Sequence, residues 1–223
     1  MVQEQPPPAG RGRDGLDSRQ RIFETAIRLF ARQGYAATGV REIAGQAEVN
    51  LAMINYFFGS KLELLKAILD DFFAGYLKLA EESLAGPDPV ESKIRRFIKA
   101  AIAYFAAHQD QLIITLTEMA HDEPEVTEFK AAFTAKLLRL LETHVYAALA
   151  RASDRPLPLG IIGPAAICAA MSHFLFRPVI TRVRPQDFDE SFLAGYQELM
   201  AEFCLHGLVG LFPGLVDEGA AHV

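Results

Sequence analysis

The chain has 223 residues, 51% of them hydrophobic and 22% charged, so a sizeable core can be buried and disorder is excluded for most of its length. Its 22 Lys and Arg against 28 Asp and Glu leave a net charge of −6, which argues against a uniformly basic nucleic-acid binder. Two cysteines, Cys168 and Cys204, are too few for a disulfide framework and lack metal-ligand spacing, so a reduced, cytoplasmic protein is expected.

The opening residues, MVQEQPPPAGRGRDGL, hold no apolar run of the length a secretory signal needs, and residues 1–16 are expected as a disordered tail. A first helix is predicted from about Ser18 to Gln33, where Ile22, Phe23, Ala26, Ile27, Leu29 and Phe30 recur at helical spacing before a Gly34 stop. Thr38, an N-cap type of residue, precedes a short second helix that turns Val40, Ile43 and Ala44 inward. A turn at Ala47-Glu48-Val49 leads to Asn50, the expected N-cap of a short third helix ending near Phe58-Gly59. Ser60 and Glu63 form a Ser-x-x-Glu capping box opening a fourth helix that runs to about Leu84.

Gly86-Pro87-Asp88-Pro89 breaks the pattern, and Asp88 is expected to cap a fifth helix whose core face is Val90, Ile94, Phe97, Ala101 and Phe105. A helix near Leu112–His121 follows. Pro124 then opens a long one to about Arg151, carrying Phe129, Phe133, Leu137, Leu140, Leu141 and Val145. Residues 153–163 form a Pro- and Gly-rich loop, and helices over 164–183 and 189–208 close the chain. Pro156 to Phe176 has no charged residue, but its prolines and glycines interrupt the first half, so a buried helix from Pro164 is expected and no membrane span. Sustained period-two alternation and internal repeats are absent, which makes the fold all-α with about nine helices. Charge divides unevenly: residues 1–65 hold 8 Lys and Arg against 7 Asp and Glu, and the remainder 14 against 21. Only the first part can approach a polyanion without strong repulsion.

Three short helices joined by tight turns are the layout of a helix-turn-helix reader. The stretch from Thr38 to Lys61, TGVREIAGQAEVNLAMINYFFGSK, resembles the DNA-binding signature of the TetR family of repressors, as does the preceding helix with Ala26, Leu29, Phe30, Gly34 and Tyr35. The strong match covers about residues 18–66. The resemblance implies a DNA-binding domain over 17–64, an effector-binding and dimerisation domain over 65–212, and a flexible tail over 213–223. It places Thr38, Tyr56 and Lys61 at phosphates, and Asn50, Leu51, Ala52 and Asn55 on a recognition helix facing the major-groove floor. Asn can pair with adenine and Leu or Ala can touch a thymine methyl, while Arg41 can reach a phosphate or a guanine. Where the family usually has Gly in the turn before that helix, this chain has Glu48. A positive φ there costs a non-Gly residue roughly 1 kcal/mol, and the carboxylate adds negative charge near the DNA.

Other readings stand beside these. Val40, Ile43, Val49, Ile54 and Phe57 are expected as core. Tyr56 can pack on the fourth helix, Arg41 can lie on a solvated face, and Arg11 and Arg13 form either a minor-groove arm or part of a disordered tail. In the second part no G-x-S-x-G, H-E-x-x-H, C-x-x-C or phosphate-cradling loop occurs, so no enzyme, no cofactor and no metal is expected. Glu118 and His121, with Asp122 and Glu123, are better taken as a solvated helix end than as metal ligands, and His173 as a core residue. The resemblance implies a small-molecule effector held between helices, for which Phe105, Met119, Phe133, Phe174 and Phe176 are apolar candidates and equally plain core residues. Ala-rich 167–171 and a stripe of Phe192, Tyr196, Leu199, Phe203 and Leu208 predict a homodimer through the last two helices. Phe-Leu-Phe-Arg-Pro at 174–178 with His-Gly-Leu at 206–208 resembles the CecR-like branch of the family. The expected function is a ligand-responsive repressor bound as a homodimer to a palindromic DNA operator, with activation open. The alternative is a helical small-molecule-binding protein with a weakened DNA reader.

Overall fold

The computed structural model describes residues 13–118, 124–147, 159–185 and 187–211. Among the described residues there are nine α-helices and no strand: α1 Arg13–Gln33, α2 Val40–Gln46, α3 Leu51–Phe58, α4 Lys61–Leu84, α5 Val90–Ala107, α6 Gln109–Glu118, α7 Pro124–Leu141, α8 Leu159–Val183 and α9 Glu190–Leu211. A π-helical turn, Glu142–Tyr146, extends α7. The all-α expectation holds. α1 starts earlier than expected, so residues 13–16 are helical and Arg13 is no tail residue, while Arg11 lies outside the described residues. The chain divides into two compact units: residues up to Asp71 with Asp110 to Glu118 of α6, and residues Phe72–Gln109 with those from Pro124 onward.

In the first unit α1 packs on α2 and α3. The side chains that bury completely include Ile22, Ala26 and Phe30 of α1, Ile43 of α2, Ile54 of α3, Leu64, Leu65, Ile68 and Leu69 of α4, and Leu112 and Ile114 of α6. Each large aliphatic side chain removed from water contributes about 1.5–3 kcal/mol before the entropy of ordering is subtracted, so this core holds the short α2 and α3 in shape. Of the residues expected as core, Ile43 and Ile54 bury, Val40, Val49 and Phe57 are half-buried, and Phe58 takes the inward place beside Ile54. Gly34 and Gly59 end α1 and α3 at φ +85° and +80°, backbone that a side chain would strain. Ser60 Oγ accepts from Glu63 N at 3.1 Å, whereas the Glu63 carboxylate pairs with Lys66.

The second unit buries Phe72, Phe73, Tyr76, Ala80 and Leu84 of α4 with Ile94, Ile98, Ala101, Ile102 and Phe105 of α5, Ala170 and Phe174 of α8, and Met200, Ala201, Cys204 and Leu205 of α9. Arg95 and Lys99 of α5 pair with Glu198 and Glu202 of α9. Asp88 does not cap α5: Pro89 holds the N-cap position with φ fixed near its ring value, and Asp88 pairs instead with Arg96 at 2.8 Å. Asp189 does cap, its Oδ1 accepting from Phe192 N at 2.8 Å. The expected loop before Pro164 is overturned in part, because α8 begins at Leu159 and passes through both Pro164 and Pro178. Each proline removes its own N–H bond and crowds the carbonyl four residues back, a local cost that the turns on either side absorb while the helix stays continuous. Nor is α8 buried all round: Ala170 and Phe174 face inward, while Ile161, Leu175, Phe176, Val179 and Val183 are exposed. Its segment Ile161–Val183 is long and apolar enough to cross a membrane by length and composition.

Candidate nucleic-acid interface

The turn between α2 and α3 is a Schellman closure. Val49 N donates to Ala44 O at 3.0 Å and Glu48 N to Gly45 O at 3.3 Å, which satisfies the last carbonyls of α2. This closure requires a left-handed residue after the C-cap, and the residue that supplies it is Glu48 at φ +54°. The turn has therefore kept its conformation despite the missing glycine and carries the strain expected from the sequence. Arg21 of α1 braces it, with Nε donating to Ala47 O at 3.1 Å while the guanidinium pairs with Asp17. Asn50 then opens α3 as predicted, its Oδ1 accepting from Ala52 N at 2.9 Å.

With Ile54 and Phe58 turned inward, helical periodicity leaves Leu51, Ala52, Asn55 and Tyr56 together on the outer face of α3. Asn50 at its head and Arg41 of α2 are exposed as well. Tyr56 is 80% exposed and meets only the edge of Phe57 at 5.0 Å, so it does not pack on α4. The face thus presents two amides, a small apolar surface and a phenol, groups matched to base edges, thymine methyls and phosphate oxygens.

Thr38 and Lys61 are placed differently from the sequence expectation. Thr38 is 1% exposed and does not cap α2, whose N-cap is Gly39 in extended conformation. Its hydroxyl donates to Gly34 O at 2.8 Å and accepts from Gln33 Nε2 at 3.3 Å, closing the end of α1 instead. Lys61 Nζ donates to Tyr35 O at 2.7 Å and Thr38 O at 2.8 Å and lies 4.2 Å from the centre of the Tyr35 ring. Burial lowers the lysine's pKa, and the Glu118 carboxylate on α6 acts in the opposite sense. Two of the three ammonium donors are thereby committed to the loop between α1 and α2. Lys61 is thus a latch between the start of α4 and the loop joining α1 to α2. Sequence reasoning assigned Arg21, Gln33, Tyr35 and Glu118 no role in bracing this head; for Arg21, Tyr35 and Glu118 the partners lie far off in the chain and no local spacing signals them.

In the second unit Phe105 and Phe174 are buried and meet edge to face at 6.3 Å, and half-buried Phe133 stacks on Phe73 at 4.0 Å. Phe176 is exposed, and Met119 lies outside the described residues. The sequence did not single out Tyr76, whose hydroxyl is buried with no hydrogen-bond partner among the described residues; burial raises its pKa. His173 sits half-buried against Phe188, Phe192 and Tyr196, and burial, then the Arg177 charge, lowers its pKa. Phe192 and Tyr196 are consequently turned toward α8. Among the described residues of this unit the exposed large apolar side chains are Leu199 and Phe203 of α9 with Ile161, Leu175, Phe176, Val179 and Val183 of α8. Leu208 lies where side chains are not described. Glu118 is buried, not at a solvated end, and His121, Asp122 and Glu123 lie outside the described residues. Among the described residues no three His, Cys, Asp or Glu gather to hold a metal ion. Cys168 is exposed, and Cys204 is buried with its thiol pushed up by that burial.

Residues 22–68 match the model of the bacterial regulatory proteins of the tetR family. The chain is 26% identical over 123 residues to a protein of Bacillus subtilis named probable HTH-type transcriptional regulator YttP, covering 54% of this chain and 59% of that one. It is 36% identical over 94 residues to the HTH-type transcriptional dual regulator CecR of Shigella flexneri, covering 39% and 42%. The chain spans about half the length of the curated relatives it matches. In fold it is similar to the TetR family transcriptional regulator PfmR from Thermus thermophilus, with a TM-score of 0.64 at 24% identity over 82% of this chain and 97% of that one. Residues 22–68 thus carry the helix-turn-helix segment of the bacterial regulatory proteins of the tetR family, and the chain is similar in fold to a solved regulator of that family.

Proposed function

We propose that this protein is a ligand-responsive, sequence-specific transcriptional repressor of the cytoplasm that binds a palindromic DNA operator as a homodimer and is released by a small molecule. The observation that carries the reading is the outer face of α3, where Leu51, Ala52, Asn55 and Tyr56 stand exposed on a helix fixed from beneath by Ile54 and Phe58. Asn55, Leu51 and Ala52 read base edges, and Asn50 caps the helix while facing the same groove. Tyr56, Arg41 and the remaining donor of Lys61 meet phosphates, and Thr38 contributes through the loop it closes. Two such heads related by a two-fold axis read half-sites whose centres lie a multiple of about 34–36 Å apart.

The exposed apolar face of α8 and α9 supports dimerisation, since leaving Leu175, Val179, Leu199 and Phe203 in water is unfavourable. The effector occupies the second unit among the aromatic residues that include Phe105, Phe133 and Phe174, and it lowers DNA affinity by a coupling free energy of about 1–3 kcal/mol. The protein acts by binding and not by catalysis. The domains are assigned as 17–64 for DNA and 65–212 for effector and dimer.

Selection of bound sequences from a random duplex pool with the full chain at moderate salt tests the reading. An enriched palindrome is expected. A folded, dimeric protein that enriches nothing favours the second reading, a helical ligand-binding protein with a weakened reader, which the strained and acidic Glu48 turn supports.

A further inference from the structure

The side chain of Tyr76 is 3% exposed, and its hydroxyl has no hydrogen-bond partner among the described residues. Its ring is surrounded by other rings: Phe105 at 5.4 Å, Phe97 at 5.9 Å, and Tyr104 and Phe133 at 6.2 Å. The neighbouring phenol shows what an ordinary buried tyrosine does here. Tyr104 donates its hydroxyl to Phe72 O at 2.8 Å, crossing the bare backbone of Gly75 to reach it. A buried hydroxyl left unpaired is costly, and natural cores pair nearly all of them. Tyr76 is thus an unpartnered donor in an aromatic enclosure, the arrangement expected where a partner arrives from outside.

One wall of this enclosure is weakly held. Phe133 belongs to α7, of which only Val126 is buried among the described residues, and α7 ends in the π-helical turn Glu142–Tyr146. On the same two helices, an open cleft of about 250 Å³ is lined by Leu77 and Glu81 of α4, Lys136, Arg139 and Leu140 of α7, and Thr143 of the π-helical turn. Phe133 stacks on Phe73 at 4.0 Å and lies 6.2 Å from the Tyr76 ring, so a flat molecule that displaced it would meet the Tyr76 hydroxyl. The four rings around Tyr76 bear no charge, so an anion or cation would be stripped of water without a counter-ion. Aromatic walls favour an aromatic guest by stacking and edge contacts.

We propose that the effector is a neutral, planar aromatic molecule with one hydrogen-bond acceptor, such as a carbonyl oxygen, which receives the Tyr76 O–H while its ring replaces Phe133 among Phe97, Tyr104 and Phe105. This rests on the effector reading above and is independent of whether α3 reads DNA. The raised pKa of Tyr76 is consistent with it, since the phenol stays protonated and remains a donor.

The test uses the full chain without DNA, titrated calorimetrically with three probes: 2-acetonaphthone, naphthalene and 2-naphthoate. The ketone is expected to bind, naphthalene to bind about tenfold more weakly for want of the hydrogen bond, and naphthoate more weakly still. Tyr76→Phe should retain or raise the melting temperature of the free protein and bring ketone affinity down to that of naphthalene. A Tyr76→Phe protein that melts several degrees lower refutes the unpaired donor. One that binds the ketone as tightly as the parent refutes the hydrogen bond. Tighter binding of naphthoate, or binding of none of the three, refutes the ligand class. Because Tyr76→Phe leaves the reading face untouched, its operator selection should be unchanged, and a parent that selects no DNA while binding the ketone separates failure of the DNA reading from failure of this one.

Discussion

Replacing Glu48 by glycine should stabilise the protein. Glu48 holds φ +54° in the Schellman closure between α2 and α3, and a left-handed non-glycine residue costs about 1–2 kcal/mol. Glycine relieves that strain but loses more backbone freedom on folding, at about 0.5–1 kcal/mol. The net gain is about 0.5–1 kcal/mol, which for a chain of this length raises the melting temperature by about 1–4 °C. The control is Glu48→Ala, which removes the carboxylate and keeps the strained φ, so its melting temperature should stay near that of the parent. Glu48→Gln isolates charge in DNA binding: affinity should rise for all sequences, most at low salt, where repulsion from phosphates is least screened. Differential scanning calorimetry on the three variants, with DNA titrations across salt, reads both effects. If Glu48→Gly and Glu48→Ala melt at the same temperature, the turn is unstrained and the argument from φ is wrong.

Lys61→Met removes an ammonium that holds two loop carbonyls and is expected to destabilise the fold by about 2 kcal/mol; DNA affinity should fall with a salt slope smaller by about 0.9, the mark of a lost phosphate contact, whereas an unchanged slope would limit Lys61 to its latch role. Asn55→Ala should change base preference in a selection experiment, while Tyr56→Phe should weaken binding evenly across sequences, a contrast lost if neither residue faces DNA. Gly75→Ala would place a Cβ about 3.0 Å from the Tyr104 ring and closer to its hydroxyl; chemical denaturation should show a loss of about 1–3 kcal/mol, partly restored by adding Tyr104→Phe. His173 has a folded pKa below the ordinary imidazole value, so the unfolded chain takes up its proton first as pH falls, and stability should decline below about pH 6.5. His173→Phe should flatten that decline in pH-dependent melting curves, and an unaltered slope would exclude the imidazole as its source.

The reading head was legible because its signals are local. The inward run Ile22, Ala26, Leu29 and Phe30, the Asn50 cap, the Gly34 and Gly59 stops and the tight turns all act within a few residues, and each appears where the sequence places it. Local signals failed where another partner competed for the same group. Thr38 looks like an N-cap, but Gly34 O lies one turn back and takes the hydroxyl; Asp88 looks like a cap, but Arg96 takes the carboxylate. Pro164 looks like a helix start, yet one missing N–H does not end a helix that continues on both sides.

Residue order by itself determined the all-α class, the Asn50 cap and the Gly34 and Gly59 stops, because helical period and turn stereochemistry are properties of neighbouring residues. Tertiary structure alone decided that Lys61 is tied to Tyr35 and Thr38, that Phe192 and Tyr196 turn to His173 and leave Leu199 and Phe203 outside, and that the Tyr76 hydroxyl is buried without a partner among the described residues. Those outcomes depend on which side chains from distant helices fill the same space, and a one-dimensional pattern specifies that a face is apolar without specifying what will cover it.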